Sequence, residues 1–155
     1  MNQETQLVAL CRERGLTLAT AESCTGGLVA GRITSVPGSS AVFLGGVVSY
    51  SNEVKRELLG VPQEVLERVG AVSAECAEAM AAGARGRLKA DAAVSVTGIA
   101  GPDGGTPAKP VGLVFFGVAT AAGVKSERCL FAGDRESVRR QAADRALALL
   151  MAAAR

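Results

Sequence analysis

Stretches with a helical spacing of apolar residues alternate along the chain with short, continuously apolar stretches. The first kind predicts helices that pack on one face, and the second predicts buried strands. The predicted helices are 5–14, 26–36, 52–59, a segment that starts at Pro62 and stops at Gly70, 74–90 and 135–154, and the predicted strands are 16–21, 41–50, 91–98, 111–120 and 125–131. This order, α-β-α-β-α-α-α-β-β-β-α, predicts one α/β domain over residues 1–155, a three-layer α/β/α sandwich with a mixed β-sheet.

Polar residues mark several of the predicted helix starts. Ser51 or Asn52 can cap the third helix, Ser73 the long alanine-rich helix and Asp134 the last helix. The glycine pair 45–46 inside the second strand predicts a bulge or a close packing point.

The composition indicates an aliphatic core and argues against a nucleic-acid partner. Of the 155 residues, 48% are hydrophobic but only 3% are aromatic, so Ala, Val, Leu and Ile must fill the core. The formal net charge of +2 is too small for an electrostatic nucleic-acid footprint, and few aromatic rings can stack on bases. We therefore expect no nucleic-acid partner.

The chain contains four scattered cysteines and no histidine, so neither a zinc site nor a disulfide scaffold is expected. The N-terminus lacks the apolar segment of a signal peptide. The uncharged run 33–52 is long enough to suggest a membrane span, but Pro37 and Gly38 interrupt it. We expect a cytoplasmic protein with no membrane partner, no metal and no cofactor.

Two predicted strands end in glycine-rich turns, TAESCTGG at 20–27 and VTGIAGPDGG at 96–105. In α/β sheets, ligands bind beyond the carboxyl ends of strands, and glycine lets backbone N–H groups approach an anion. The two turns therefore favour a nucleotide-sized or phosphorylated ligand, although each can also be an ordinary turn with a helix cap. Arg135 and Arg139 can meet a phosphate or remain solvated.

The first turn also carries a candidate nucleophile, Ser23. Because the chain has no histidine, a Ser-His-Asp triad cannot form, and a lysine with a lowered pKa is the alternative base. Lys55, in the first turn of the third helix, and Tyr50, at the end of the second strand, can converge on one point. Glu22 as base or orienter and Cys24 as a thiolate nucleophile are the other possibilities, and each of these residues also has an ordinary structural interpretation.

Long, unusual motifs in the chain resemble the CinA C-terminal family, which includes nicotinamide mononucleotide deamidases (PncC-like), in its stand-alone form. The matching motifs are TAESCTGG at 20–27, PGSS at 37–40, G-x-V-x-Y-S-N-x-x-K from Gly46 to Lys55, LGV at 59–61, GAVS at 70–73, TGIAGPDGG at 97–105, KPVG at 109–112 and GDRESVR at 133–139. The resemblance implies that Ser23 is the nucleophile and that Tyr50 and Lys55 activate it. It places the substrate pocket at Thr25, Gly26, Gly27, Thr97, Gly98, Gly101, Asp103 and Arg139.

The implied activity is an amidohydrolase reaction that converts nicotinamide mononucleotide to nicotinate mononucleotide and ammonia. Two alternatives stay open: a catalytically silent nucleotide-binding or regulatory module related to competence or DNA damage, and a hydrolase of another small amide. The partner is a small-molecule nucleotide. Because the last helix, with ALALLMAAA, has more apolar surface than one face needs, and because relatives are commonly dimers, a homodimer is expected.

Overall fold

A computed structural model of the protein describes residues 1–155. Its helices and strands alternate much as the hydrophobic pattern predicts, with ends that differ by a residue or two. The helices are α1 (Gln3–Arg14), α2 (Leu28–Thr34), α3 (Asn52–Leu59), α4 (Gln63–Arg68), α5 (Ala74–Leu88) and α6 (Arg135–Ala154). The strands are β1 (Leu18–Glu22), β2 (Phe43–Val48), β3 (Ala92–Gly98), β4 (Leu113–Thr120) and β5 (Gly123–Leu130).

The five strands form one mixed sheet in the order β2-β1-β3-β4-β5. Strand β1 is parallel to both β2 and β3, whereas β4 is antiparallel to β3 and to β5. One apolar cluster joins α1, α2 and α6 to one face of the sheet, and a second joins α3, α4 and α5 to the other. The predicted α/β sandwich with a mixed sheet is therefore confirmed.

The second strand begins later than predicted, because a single 3-10 turn, Ser39–Ala41, follows Gly38. Gly38 has a φ of 86°, a left-handed conformation that glycine adopts without strain. The predicted irregularity near the glycine pair is present: the β1–β2 register shifts between Leu18 and Ala19. A Cβ on Gly46 would overlap the Thr20 hydroxyl, so β1 and β2 can pair this closely only because position 46 has no side chain.

The helix caps follow the sequence closely. Ser51, rather than Asn52, caps α3, because its side chain accepts a hydrogen bond from Val54 N at 3.1 Å. Ser73 and Asp134 accept in the same way from residues three positions ahead in α5 and α6. None of the helices combines the length and the apolar character that crossing a membrane requires.

The strand order places a crevice at the carboxyl end of β1. The chain leaves β1 for β2 on one side, and β3 joins β1 on the other side with the same direction. Glu22, the last residue of β1, is level with Val48 of β2 and Val96 of β3. In open α/β sheets this reversal of strand order is where ligands bind.

Helix α3 packs against α5 at Gly83, and Gly86 of the same helix provides a control position for testing this contact. A Cβ on Gly83 would overlap the carbonyl oxygen of Leu59 at the end of α3, whereas a Cβ on Gly86, one turn along α5, would meet nothing within 4 Å. We expect Gly83→Ala to reduce the free energy of unfolding by about 1–3 kcal/mol. Gly86→Ala should raise it by about 0.5–1 kcal/mol through helix propensity. Urea unfolding followed by circular dichroism measures both, and equal effects would contradict this packing.

Candidate active site

Backbone hydrogen bonds join the ends of β1, β2 and β3 at the crevice. Ser23, the first residue after β1, donates its N–H to Val96 O of β3 at 2.9 Å. Ser49, the first residue after β2, donates its N–H to Glu22 O at 2.8 Å. The main chain therefore fixes Ser23 beside the segment that leads from β2 into α3.

Lys55 reaches back from α3 to this junction and is only 1% exposed. Its Nζ lies 3.0 Å from Ser23 Oγ, and it donates to the carbonyl oxygens of Ser49 at 2.8 Å and Tyr50 at 3.1 Å. No carboxylate forms an ion pair with it. Burial without a charged partner lowers the pKa of Lys55 below its ordinary value of 10.5.

A neutral amine can make the contacts of Lys55. It has two N–H bonds and one lone pair, and two carbonyl oxygens and one hydroxyl surround Nζ. When the carbonyls of Ser49 and Tyr50 accept the two hydrogens, the lone pair is free to accept the proton of Ser23 Oγ. The arrangement can accept the hydroxyl proton and thereby convert Ser23 into a nucleophile.

Tyr50 joins the site in two different ways. Its carbonyl oxygen contacts Lys55, whereas the residue as a whole is 63% exposed and its hydroxyl accepts a hydrogen bond from Arg135 Nη2 at 3.2 Å. The hydroxyl has no hydrogen bond to Ser23 or Lys55. Activation of Ser23 through the Tyr50 hydroxyl therefore stays a prediction, and the contact present is the one through the backbone.

Ser23 and Lys55 share a cavity of ≈ 210 Å³ at the strand ends. The other residues that line it come from the ends of β2 and β3 and from neighbouring helices and loops: Cys24, Tyr50, Asn52, Ala71, Val72, Thr97, Gly98, Ala100 and Arg135. No carboxylate is among them. A larger groove of ≈ 440 Å³, between the β4–β5 hairpin and the end of α6, contains none of the candidate catalytic groups.

This site can be compared with known proteins. The sequence profile of the CinA C-terminal domain matches residues 1–154. The chain belongs to the CinA C-terminal domain family. It is 57% identical over 136 residues to a CinA-like protein of Geotalea uraniireducens, a match that covers 88% of this chain but 32% of that protein. A CinA-like protein of Geobacter metallireducens is 56% identical over the same length, with 88% and 33% covered. The chain therefore spans about a third of the length of these curated relatives.

Solved structures of similar length share the fold. The competence/damage inducible protein CihA of Agrobacterium tumefaciens is 42% identical, with a TM-score of 0.93 over 98% of this chain and 96% of that chain. A competence-damaged protein (CinA) superfamily protein from Klebsiella pneumoniae is 36% identical, with a TM-score of 0.94 over 99% and 98%. The α/β architecture described above is that of the CinA family.

The CinA motif TAESCTGG is held by the carboxylate of Glu22, which is 1% exposed. Oε1 accepts hydrogen bonds from Thr25 Oγ1 at 2.6 Å and Val29 N at 2.9 Å, and Oε2 accepts from Ala30 N at 3.0 Å. Two of these donors belong to the first turn of α2, where a negative charge also interacts favourably with the helix dipole. Both carboxylate oxygens of Glu22 are therefore occupied by donors other than Ser23, which favours the role of positioning the turn over that of a base.

Removing this carboxylate should destabilise the protein. Glu22→Ala leaves two amides and a hydroxyl without an acceptor in a buried place, and we expect a loss of about 3 kcal/mol in the free energy of unfolding. Glu22→Gln keeps one carbonyl oxygen and should lose about half as much. Denaturant titration measures both. A loss below about 0.5 kcal/mol for Glu22→Ala would contradict this role.

The structure favours Ser23 over a Cys24 thiolate as the nucleophile. Helix α2 begins only at Leu28, so the thiol does not lie in its first turn. Cys24 is 6% exposed, and burial raises the pKa of the thiol to about 11. The side chain is therefore a protonated thiol at neutral pH, which is a poor nucleophile.

The predicted binding residues fall into two groups. Thr97 and Gly98 line the cavity. The others do not. Thr25 is fully buried against Glu22, and Gly26 and Gly27 form the left-handed turn before α2. The carbonyl oxygen of Gly101 accepts from Arg135, Asp103 is exposed on its loop, and Arg139 donates to the carbonyl oxygen of Cys24. Their binding roles stay predictions, and no group of three or more Cys, Asp or Glu side chains could hold a metal ion.

Arg139 of α6 holds the turn that follows Ser23. Its Nε donates to Cys24 O at 3.1 Å and its Nη2 to Thr25 O at 3.0 Å.

Sequence reasoning missed the carbonyl of Ser49 and the lining residues Ala71 and Val72. The GAVS motif at 70–73 was the available signal for the latter two, but it contains no chemically reactive side chain.

Proposed function

We propose that this CinA-family chain is an amidohydrolase that converts nicotinamide mononucleotide to nicotinate mononucleotide and ammonia, in pyridine nucleotide recycling. The observation that carries the proposal is the 3.0 Å approach of Lys55 Nζ to Ser23 Oγ in a buried cavity. A lysine this deeply buried and without a carboxylate partner is costly, and such groups cluster at functional sites. The resemblance of the motifs around Ser23, Tyr50 and Lys55 supports the same substrate.

In the first half of the reaction, Ser23 Oγ attacks the carboxamide carbon while neutral Lys55 takes the hydroxyl proton. The tetrahedral intermediate collapses when its C–N bond breaks and Lys55 returns the proton to the departing ammonia. The product is an ester between Ser23 and the nicotinoyl group. In the second half, Lys55 takes a proton from water as the water oxygen attacks this ester. The bond between the acyl carbon and Ser23 Oγ then breaks, Lys55 returns the proton to Oγ, and the carboxylate leaves as nicotinate mononucleotide.

The turn at residues 23–27 has backbone N–H groups available for the oxyanion. The N–H groups of Cys24, Thr25 and Gly27 donate no hydrogen bond within the chain, although Cys24 and Thr25 are buried. Buried backbone N–H groups without partners are rare in native proteins. Each such donor aimed at a developing oxyanion contributes roughly 3 kcal/mol in well-studied hydrolases.

The substrate itself favours the neutral form of Lys55. Its pyridinium ring is positively charged, and a charged ammonium beside the ring would be repelled. The cavity of ≈ 210 Å³ is smaller than a typical ligand site of about 300–1,000 Å³, so we expect it to hold only the ring and the carboxamide of the substrate. The ribose and phosphate then lie at its mouth.

The competing function is a nucleotide-binding module without turnover, which the competence-related names of relatives would suit. The buried Ser23–Lys55 pair speaks against it, because binding alone does not require a desolvated amine beside a hydroxyl. Ammonia release from nicotinamide mononucleotide, nicotinamide riboside and glutamine distinguishes the possibilities. We expect turnover of the mononucleotide, while binding without ammonia release would favour the module and turnover of glutamine alone another amidase.

A further inference from the structure

Arg139 is a partly buried cation whose hydrogen-bond partners are two backbone carbonyl oxygens of the turn after Ser23. Nε donates to Cys24 O at 3.1 Å, and Nη2 donates to Thr25 O at 3.0 Å. The guanidinium forms no ion pair, and Arg139 is not among the residues that line the cavity. Because a desolvated charge is costly without a counter-charge, charge pairing does not explain this placement.

The contact with Cys24 O fixes the direction of one backbone N–H group. In a planar trans peptide, the carbonyl oxygen and the amide hydrogen point to opposite sides. The Cys24–Thr25 peptide is trans, since the one cis peptide of the chain is Gly101–Pro102. Arg139 holds the carbonyl oxygen of this peptide, so the Thr25 N–H points away from Arg139. That N–H donates no hydrogen bond within the chain, although Thr25 is fully buried.

The charge of Arg139 also strengthens the Thr25 N–H as a donor. Hydrogen bonds in a chain polarise one another, and a donor that carries a charge has the larger effect. A cation bound to the carbonyl oxygen therefore draws electron density away from the N–H of the same peptide. The preceding peptide has no such partner, because Ser23 O accepts from a neutral amide, Gly26 N, at 3.0 Å.

The charge of Arg139 also acts on the residue next to Ser23. Burial dominates the pKa of the Cys24 thiol and raises it to about 11, whereas the charge of Arg139 acts in the opposite direction. Cys24 lines the cavity together with Ser23. The arginine therefore favours negative charge beside the nucleophile, although it does not enter the cavity.

We propose that Arg139 is a positioning residue for the reaction at Ser23, which orients and polarises the Thr25 N–H so that this group stabilises the oxyanion of the tetrahedral intermediate. The inference rests on the proposed function and deepens it, since it names the residue that prepares an oxyanion donor from behind. Because the oxyanion exists only after Ser23 has attacked, Arg139 acts on the intermediate and not on the bound amide.

The kinetic test separates turnover from binding. Arg139→Gln keeps a neutral donor and loses the charge, and we expect it to lower kcat for nicotinamide mononucleotide by roughly 10- to 100-fold, less than the 10²–10³ that follows direct removal of an oxyanion donor. KM should change less than about threefold, because Arg139 does not touch the substrate. Arg139→Lys keeps the charge and should retain more turnover than Arg139→Gln.

Arg140→Gln is the matched control, because Arg140 is an exposed arginine of the same helix without a hydrogen bond or an ion pair. It should have wild-type kinetics. Circular dichroism gives the folded fraction of each variant, and kcat is expressed per folded protein. Should Arg139→Gln not fold, Arg139→Lys is compared with the wild-type protein, since one ammonium cannot reproduce the paired contacts and should still lower kcat and not raise KM.

A rise in KM with unchanged kcat would overturn the proposal and assign Arg139 to substrate binding. Equal losses of kcat in the Gln and Lys variants would also overturn it, because the charge would then have no effect on turnover.

Nuclear magnetic resonance makes the test independent of turnover. In proton–nitrogen correlation spectra of the free protein, Arg139→Gln should move the Thr25 amide proton to lower chemical shift, and Arg140→Gln should leave it in place. An unchanged Thr25 resonance in Arg139→Gln would contradict the inference. If the wild-type protein releases no ammonia, the proposed function fails, and this resonance still decides whether Arg139 polarises the Thr25 N–H.

Discussion

Ser23→Ala should abolish ammonia release from nicotinamide mononucleotide, with a loss on the order of 10⁴-fold or more in kcat. The substitution removes one oxygen atom and leaves the turn intact, since Glu22 and Arg139 hold the turn through other atoms. Substrate affinity measured by calorimetry should therefore persist. Rapid quenching of the wild-type reaction, followed by mass spectrometry, should detect the nicotinoyl ester on the peptide that contains Ser23.

Cys24→Ala provides the comparison for this result. It removes the adjacent thiol, which remains protonated at neutral pH, and we expect a loss of less than about tenfold. If Ser23→Ala kept most of its turnover while Cys24→Ala lost it, the thiol would be the nucleophile. If neither variant lost activity, attack would come from water without a covalent intermediate.

Lys55→Met should have the second-largest effect, a loss of about 10²–10⁴-fold in kcat, because methionine has a similar length but cannot accept a proton. In the wild-type protein, kcat/KM should rise with pH along an acidic limb that lies below the ordinary lysine pKa of 10.5. The limb arises because protonated Lys55 cannot activate Ser23. A flat profile at acidic and neutral pH would argue against a lysine base.

Lys55 should also make the free energy of unfolding depend on pH. Burial lowers the pKa of Lys55 in the folded protein, so the unfolded chain binds an additional proton between that lowered pKa and 10.5. The free energy of unfolding therefore gains up to about 1.4 kcal/mol per pH unit across this window, and it falls as the pH decreases.

Lys55→Met should lack this contribution, so the difference in the free energy of unfolding between the two proteins should change with pH between the lowered pKa of Lys55 and 10.5. Burial also raises the pKa values of the Cys11, Cys24 and Cys76 thiols to about 11, but both proteins contain these thiols, so the comparison isolates Lys55. Urea titrations at several pH values measure the difference. Parallel stability curves for the two proteins would show that Lys55 is charged in the fold.

The order of elements was predictable because apolar spacing and caps are local. The buried strand 91–98 and the caps Ser73 and Asp134 illustrate this, as each depends on residues within one turn or one strand. The late start of β2 was not predictable, because the turn at Ser39–Ala41 competes with strand pairing for residues of similar character. Pairing partners depend on contacts distant in sequence, which a single chain does not display.

The reactive groups of the candidate site were predictable from the sequence, whereas the backbone carbonyls and arginine contacts that position them were not. Ser23 and Lys55 were identifiable as a hydroxyl and an amine at two strand exits, and the structure places them 3.0 Å apart. The carbonyl of Ser49 was not identifiable, because any residue supplies a carbonyl and only the register of β1 and β2 selects this one. Arg135 and Arg139 look alike in sequence, and only the fold assigns them different loops.

Arg139 also affects when the candidate site can form during synthesis. Helix α6 is translated after every other element, yet its Arg139 holds the turn that follows Ser23, and the helix covers one face of the sheet together with α1 and α2. While this helix is still inside the ribosome, part of that face is open to water and the turn lacks its support. The arrangement of Ser23 and Lys55 is therefore complete only after translation has passed α6, although both residues emerge far earlier.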